Sequence, residues 1–487
     1  MGHMCSARIQ RPCPNASHGD VARRYERHRP EETVLYDVIE RHHGAFFAHL
    51  EEQGRRVPGF VREEFEAYLR CGRLEHGFVR VKCAGCKHEH LVAFSCKGRG
   101  FCPSCASRRM AETGAKLVDD VLPAVPYRQW VLSFPIPLRL LFAYRPELLS
   151  AVLAFVMRAL TGDVIHRAGY RRCDAETGVV TFIQRFGSAL NLNIHLHMLV
   201  PDGVWRFVNG KAHFHRTPAP DDADIERLLA RLIRRIIRCL VRAGVLVMEA
   251  EQPYLDVDTA PDDGLAGLAA AAVRYRIAVG PLAGQRTMRL RIPTLAASLS
   301  PNPGALTADH EGFSLNAAVA CGATQRKKLE RLCRYMARGP LSNERLSIDG
   351  DGLVVHELKR PFRDGTTQCL FEPLDFLARL AALIPRPRSH LVRYHGVFAP
   401  NARHRALLVE KPRVRIPSAT EEPKARASRA AMTWMQRLRR VYDIDVSVCP
   451  KCAGALKVLA VITDPPVITS ILAHLAKREA RAPPVAA

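Results

Sequence analysis

Two Cys-x2-Cys pairs between positions 83 and 105 constrain this chain more than any other stretch. In VKCAGCKHEHLVAFSCKGRGFCPSC, Cys83-x2-Cys86 and Cys102-x2-Cys105 are separated by fifteen residues. Each pair turns tightly enough to aim two thiolates at one point, and two such pairs close a tetrahedron around zinc. A structural zinc on Cys83, Cys86, Cys102 and Cys105 is therefore expected, with Cys71 and Cys96 left as core thiols. His88 or His90 in place of one cysteine is the lesser alternative. A further pair, Cys449-x2-Cys452, has no second pair near it in sequence. It reads as half of a zinc site shared across domains, or as a tight turn opening a strand. The cysteine count, fifteen, is odd. No signal-peptide core and no apolar run of membrane-spanning length is read, so a reducing, intracellular setting is expected, where clustered thiols favour metal over disulfides.

The stretch 191-NLNIHLHMLVPDGVW-205 supplies the second constraint. In a strand, residues two apart face the same side, roughly 6.5–7 Å apart along the backbone. His195 and His197 can thus converge on one divalent cation while Ile194, Leu196 and Met198 face the core. Two histidines on the solvated face of a half-buried strand is the plainer alternative. Gln184, ending the preceding strand TFIQRF, is the candidate third ligand, with Asn193 or a residue of a later helix as alternatives.

That later helix lies in 329-LERLCRYMARGPLSNERL-346, stopped by Gly339-Pro340. Tyr335 stands in its last turn, among Arg331, Arg334, Arg338, Lys327 and Lys328. A helix tyrosine is most often a packing residue, but one in a cationic helix end is placed to meet a phosphate. Mg²⁺ or Mn²⁺ on the histidine pair would polarise a phosphate oxygen, and the phenol would attack phosphorus and leave a covalent phosphotyrosine. That bond conserves the phosphodiester's energy, consistent with the absence of a G-x-x-x-x-G-K-[ST] phosphate loop from the sequence.

Charge agrees with a polyanionic partner. Lys and Arg outnumber Asp and Glu by 72 to 48, a formal net charge of +24, which suits nucleic acid through phosphate neutralisation. Between Ile384 and Arg405 arginines and histidines accumulate without an acid. Arg393, Tyr394, Arg403 and Arg405 are there the candidate DNA contacts, alongside Arg331, Arg334 and Arg338. Tyr394 is the rival nucleophile. An amphipathic helix at 223–246 carries Ile225, Leu228, Leu229, Leu232, Ile236 and Leu240 on one stripe and a basic, chiefly solvated, opposite face. A second basic helix is read at 426–442, Asp-Gly hairpins at 346–373, and little signal at 256–312.

Taken together, QRFGSALNLNIHLHMLVPDGV, CRYMARGPLSNERL and 391-LVRYHGVFAPNARHR-405 resemble transposases of the insertion sequence 91 group, which are HUH single-strand endonucleases. The resemblance runs from about residue 31 to about 475. It implies that His195 and His197 are the metal ligands and Tyr335 the nucleophile, and that a zinc-binding domain precedes them. Relatives with two tyrosines carry them four apart. Here the earlier position is Arg331, so the chain looks like the single-tyrosine kind. The expected fold is α+β, with a central antiparallel, ferredoxin-like sheet flanked by helices. Residues 1–30 are expected to be loosely ordered, 31–120 helical and zinc-binding, 121–380 the nuclease domain and 381–487 a basic DNA-binding region. Expected partners are single-stranded element ends, target DNA and a host helicase or replication machinery, in the bacterial cytoplasm at the nucleoid and with no membrane. A plasmid replication initiator or relaxase would share the chemistry. A non-catalytic zinc-dependent DNA-binding regulator would not.

Overall fold

The computed structural model describes residues 29–249, 252–255, 264–291, 305–362, 364–409, 449, 451–452 and 454–480. The N-terminal stretch 1–28 and the basic helix read at 426–442 lie outside the described residues.

Six strands form the central sheet, in the order Thr307–His310, Phe313–Cys321, Tyr127–Ser133, Leu192–Pro201, Gly178–Phe186 and Val392–Gly396. Every neighbouring pair is antiparallel. The four inner strands follow the chain as strand, helices, hairpin, helix, strand, so both helical crossovers can return to one face. They do: Pro146–Arg167 and Asp222–Arg242 pack with Leu196, Met198 and Ile183 in one cluster. The expected stripe of the 223–246 helix, Ile225 through Leu240, is buried there throughout. Pro146–Arg167 is also, by length and composition, apolar enough to cross a membrane. This corrects the expectation that no run is long enough. Its Val152, Leu153, Val156 and Leu160 are spent on this core.

Alternation sends the other half of the sheet's side chains to the opposite face. Val180, Phe182 and Leu199 meet Leu329, Cys333 and Met336 of the helix Arg326–Met336, and Leu117, Val118 and Val121 of a π-turn. Strands of the sheet are pinned to one another by Arg128, whose guanidinium donates to both carboxylate oxygens of Asp202 at 3.0 and 3.1 Å and to the Ala317 carbonyl at 2.9 Å. A buried bidentate pair of this kind satisfies most of what desolvating the arginine costs.

A second core joins the N-terminal helices Val34–Glu52 and Gly59–Arg70 to the helix Pro373–Leu383 and to the sheet of Leu346–Ile348, Val354–Glu357, Gln368–Phe371 and Met288–Leu290. The Asp-Gly hairpin read at 346–373 lies in that sheet. Two strands beyond the boundary expected at 381 pair with earlier strands. Val392–Gly396 is the edge strand of the central sheet, and Leu456–Ile462 pairs with Phe78–Cys83. Backbone pairing therefore ties the C-terminal stretch to both earlier regions. In Phe313–Cys321, Ala-rich and with little alternation to read, Leu315 and Ala317 are buried in the first core.

Candidate functional site

The histidine strand presents Asn193, His195, His197 and Leu199 on the side of the tyrosine helix, while Leu192, Ile194, Leu196 and Met198 fill the other core. His195 Nε2 and His197 Nε2 stand 3.1 Å apart. Their outer nitrogens are held separately. His195 Nδ1 donates to the Asn193 carbonyl at 3.0 Å, and His197 Nδ1 meets the Gln129 amide at 2.7 Å. Such a partner on one ring nitrogen sets which nitrogen is left with a lone pair. The 3.1 Å contact needs one Nε2–H; if the Gln129 amide turns its oxygen to Nδ1, both Nε2 lone pairs are freed. Burial holds both rings neutral, pushing His195 down to about 4 and His197 to about 3. Arg338 acts in the same direction on both by opposing a second positive charge.

Gln184 is paired directly across from His195. Its Nε2 donates to the Met336 carbonyl at 2.8 Å, while its buried Oε1 has no partner among the described residues. Asn193 Oδ1 is buried and unpartnered in the same sense. An orphaned buried acceptor is costly, and two beside a histidine pair suit a cation.

The tyrosine helix Arg326–Met336 buries Leu329, Cys333 and Met336 and leaves Tyr335 42% exposed. The Tyr335 ring stands edge-on to His197, centroids 6.1 Å apart at 87°. Arg338 lies 5.1 Å from its centroid and Lys359 5.5 Å, on opposite stretches of chain. At the helix start, Arg326 donates to the carbonyls of Leu122 and Pro123 at 2.8 and 3.1 Å, fixing its position against the π-turn. Along its side, a Cβ on Gly114 would sit 2.6 Å from Arg334 Cγ, and one on Gly339 2.6 Å from Ala106 Cβ. The helix Pro103–Lys116 thus approaches the tyrosine helix through residues with no room for larger ones.

The same region brings basic groups together. A cleft of about 80 Å³ is lined by Arg99, Arg109, Gln184, Arg185, Phe186 and Arg338 among others. Arg99 and Arg109 come from KGRG and SRRM, the basic runs of the cysteine-rich segment.

The cysteines form two clusters, not one. Cys71, Cys96, Cys102 and Cys105 gather in the first, and Cys83, Cys86, Cys449 and Cys452 in the second, all sulfurs of a cluster within 4.8 Å of one another. The four-cysteine set expected from spacing is thus split between them, and Cys71 and Cys96 are cluster members, not isolated core thiols. The hairpin explains the split. Phe78–Cys83 pairs with Glu89–Ala93, putting Cys83 and Cys86 at its tip and Cys71 and Cys96 at its base. Five extended residues separate tip from base by roughly 16 Å. His88 and His90 belong to neither cluster. A tetrahedron of Zn–S bonds near 2.3 Å spaces its sulfurs about 3.8 Å apart, and the measured contacts run from 3.3 to 3.8 Å. The donor sets fit zinc.

Other predicted contacts are distributed differently. Arg331 and Arg403 are exposed, and the stem of Arg334 packs on Gly114. Arg393 turns to the opposite sheet face and donates to Ser150 Oγ at 2.9 Å. Tyr394 is half-buried, its pKa raised by burial, with Arg405 5.9 Å from its ring. In register it lies across from Val180, itself across from Leu199, two strands from the histidines. Gln129 and Lys359 were not foreseen. Gln129 is the one amide in the apolar run YRQWVLSF, a polar residue that a buried strand has reason to carry only if something needs it. Lys359 has no local signal.

Residues 178–406 match a family model described as "Putative transposase", and residues 38–134 match one described as "Transposase zinc-binding domain". No curated protein and no solved structure matches the chain.

Proposed function

The chain belongs to the insertion sequence 91 family of transposases, and from that premise we propose that it cuts and rejoins single-stranded DNA through a 5′-phosphotyrosine on Tyr335. The convergence of His195 Nε2 and His197 Nε2 at 3.1 Å beside Tyr335 carries the reading. The pair would hold the divalent cation, Mg²⁺ or Mn²⁺, with the unpartnered Gln184 Oε1 or Asn193 Oδ1 as a further ligand. The strand–helix–hairpin–helix–strand order of the inner sheet supports the ferredoxin-like core expected of HUH nucleases.

Held there, a divalent ion would offset negative charge developing on a non-bridging oxygen of the scissile phosphate. The residues do the rest. Tyr335 Oη attacks phosphorus, its proton passing to solvent at the exposed rim. The bond from phosphorus to the 3′-oxygen breaks, and that oxygen leaves as a hydroxyl after taking a proton. Arg338 and Lys359 flank the phenol and neutralise the phosphate it approaches. In the return step a 3′-hydroxyl attacks the phosphotyrosine, restoring one phosphodiester for one broken. No nucleotide triphosphate is needed, and strand separation falls to a host helicase or replication fork.

Labelled single-stranded DNA carrying the element's terminal sequence, incubated with Mn²⁺ or EDTA, tests this. An SDS-resistant adduct is expected with Mn²⁺, lost in EDTA and in Tyr335→Phe. An adduct that persists in Tyr335→Phe would move the nucleophile, Tyr394 being next. Tight binding without any adduct would leave a DNA-binding regulator.

A further inference from the structure

We propose that the chain holds two zinc ions, the second bound by Cys83 and Cys86 from the N-terminal hairpin and Cys449 and Cys452 from the C-terminal stretch. This second metal is independent of the nuclease chemistry. Cys83 Sγ lies 3.4 Å from Cys452 Sγ and Cys86 Sγ 3.5 Å from Cys449 Sγ. Those separations are far beyond the ~2.05 Å of a disulfide and near the edge of a zinc tetrahedron. Backbone hydrogen bonds tie the two knuckles together and close the second one. Ala84 N donates to the Ala455 carbonyl at 3.0 Å, and Cys449 N to the Gly454 carbonyl at 2.8 Å. A Cβ on Gly454 would lie 3.0 Å from Cys83 Sγ and 3.3 Å from Cys452 Sγ, so glycine lets the chain close around the sulfurs.

The metal has a mechanical task. Directly after the second knuckle, Leu456–Ile462 adds to Phe78–Cys83 as the outer strand of a three-stranded sheet. Val458 and Val461 are 66% and 61% exposed, so this strand buries little apolar surface. Backbone hydrogen bonds in water contribute modestly, and loop closure over so long an intervening chain opposes the pairing. Four thiolates on one ion supply what burial does not. The second zinc is thus the fastening of the C-terminal strand and the helix Pro465–Ala480 that follows it.

Metal analysis of the full chain is expected to find two zinc ions per chain, and one in Cys449→Ser/Cys452→Ser. In that variant, protease should release a fragment beginning near position 449 many-fold faster than in the wild type, while the first zinc is retained. Cys452→His, which keeps a ligand at the same point, should restore the second zinc and the protection, guarding against simple misfolding. Replacement by Co²⁺ should give thiolate charge-transfer intensity for eight sulfurs in the wild type and four in the double variant. One zinc in the wild type, two in the double variant, or a Cys83–Cys452 disulfide in reduced, metal-replete protein would overturn the proposal.

The sheet face away from Tyr335 carries a second basic feature. A cleft of about 300 Å³ between Pro146–Arg167 and Asp222–Arg242 is lined by Phe155, Arg158, Arg172, Arg235, Arg238 and Arg242, with no acid in its wall. None of these arginines has an ion pair among the described residues. Arg158 stacks 4.5 Å from the Phe155 ring, and Arg172 crosses from its loop to donate to the Arg158 carbonyl at 2.6 Å. Converging guanidinium groups repel unless an anion sits between them. The geometry points to a second phosphodiester-binding site, suited to a strand other than the one at Tyr335. The Arg235→Glu/Arg238→Glu variant is expected to bind a labelled single-stranded 40-mer about tenfold more weakly and with a shallower salt slope, while phosphotyrosine yield on a short terminal oligonucleotide is unchanged. Inorganic phosphate that competes at low millimolar concentration would identify an isolated anion pocket instead. Unchanged affinity and slope would overturn the site.

Discussion

The Tyr335 ring meets the His197 ring edge-on, 6.1 Å between centroids, although one ends a helix and the other lies inside a strand. Each is held by groups outside the pair. His197 leans on Gln129, and the tyrosine helix on Arg326 and on the glycine contact at Gly114. The site is therefore as rigid as the sheet and the zinc-domain helix that clamp it.

On the proposed mechanism, His195→Ala and His197→Ala remove ligands of the divalent ion and leave the nucleophile in place. Metal stabilisation of a phosphate transition state is worth several kcal/mol, so adduct formation should fall about 100-fold or more with oligonucleotide binding retained. Rates measured across a Mn²⁺ titration check this; a variant that still saturates with metal at the wild-type rate would count against the histidine pair.

Arg338 contacts the Tyr335 ring and also lies over Phe186, 4.8 Å from its centroid. A hydrogen bond to a charged group contributes about 1.5–3 kcal/mol, which predicts a loss of about 10- to 100-fold in Arg338→Ala. Arg338→Lys should recover part of it, because a point charge cannot grip a phosphate with two donors. Single-turnover adduct kinetics separate the three proteins.

Gly114→Leu would drive a side chain into Arg334 and the tyrosine helix. Overpacking of this kind costs about 1–3 kcal/mol. The expected result is a lower unfolding midpoint together with a slower adduct rate, and a milder effect on both in Gly114→Ala. Normal rates in a destabilised Gly114→Leu protein would show that the zinc-domain helix does not position Tyr335.

Buried imidazoles set a pH dependence. Burial pushes His356 down to about 4, as it does His195, and its unfolded value is about 6.5. The folded state thus favours the neutral ring. The contribution is fully present above pH 6.5 and is lost as pH falls from there toward 4. A tenfold difference in proton affinity between the folded and unfolded chain corresponds to about 1.4 kcal/mol. Denaturation midpoints of the wild type should drop across that window, and those of His356→Gln should drop less. Parallel curves for the two proteins would refute the assignment.

Residue type and spacing alone made several features legible. Alternation placed His195 and His197 together on one side of a strand, and a 3.6-residue period drew the buried stripe of the 222–242 helix. Both depend on neighbours in sequence, which is where periodicity carries information. CxxC pairs announced metal for the same reason. Which pairs belong together could not be read that way. The hairpin of residues 78–93 moves Cys83 and Cys86 away from Cys102 and Cys105 and toward Cys449 and Cys452, and only strand pairing decides such distances. Gln129 behind His197, Lys359 over Tyr335 and Arg393 on the far sheet face are likewise products of packing. The sequence by itself determined which chemical groups are available and on which face of their own element they lie. The tertiary structure decided which of them meet, because contacts across long stretches of chain are set by sheet register and core filling, and neither leaves a local mark.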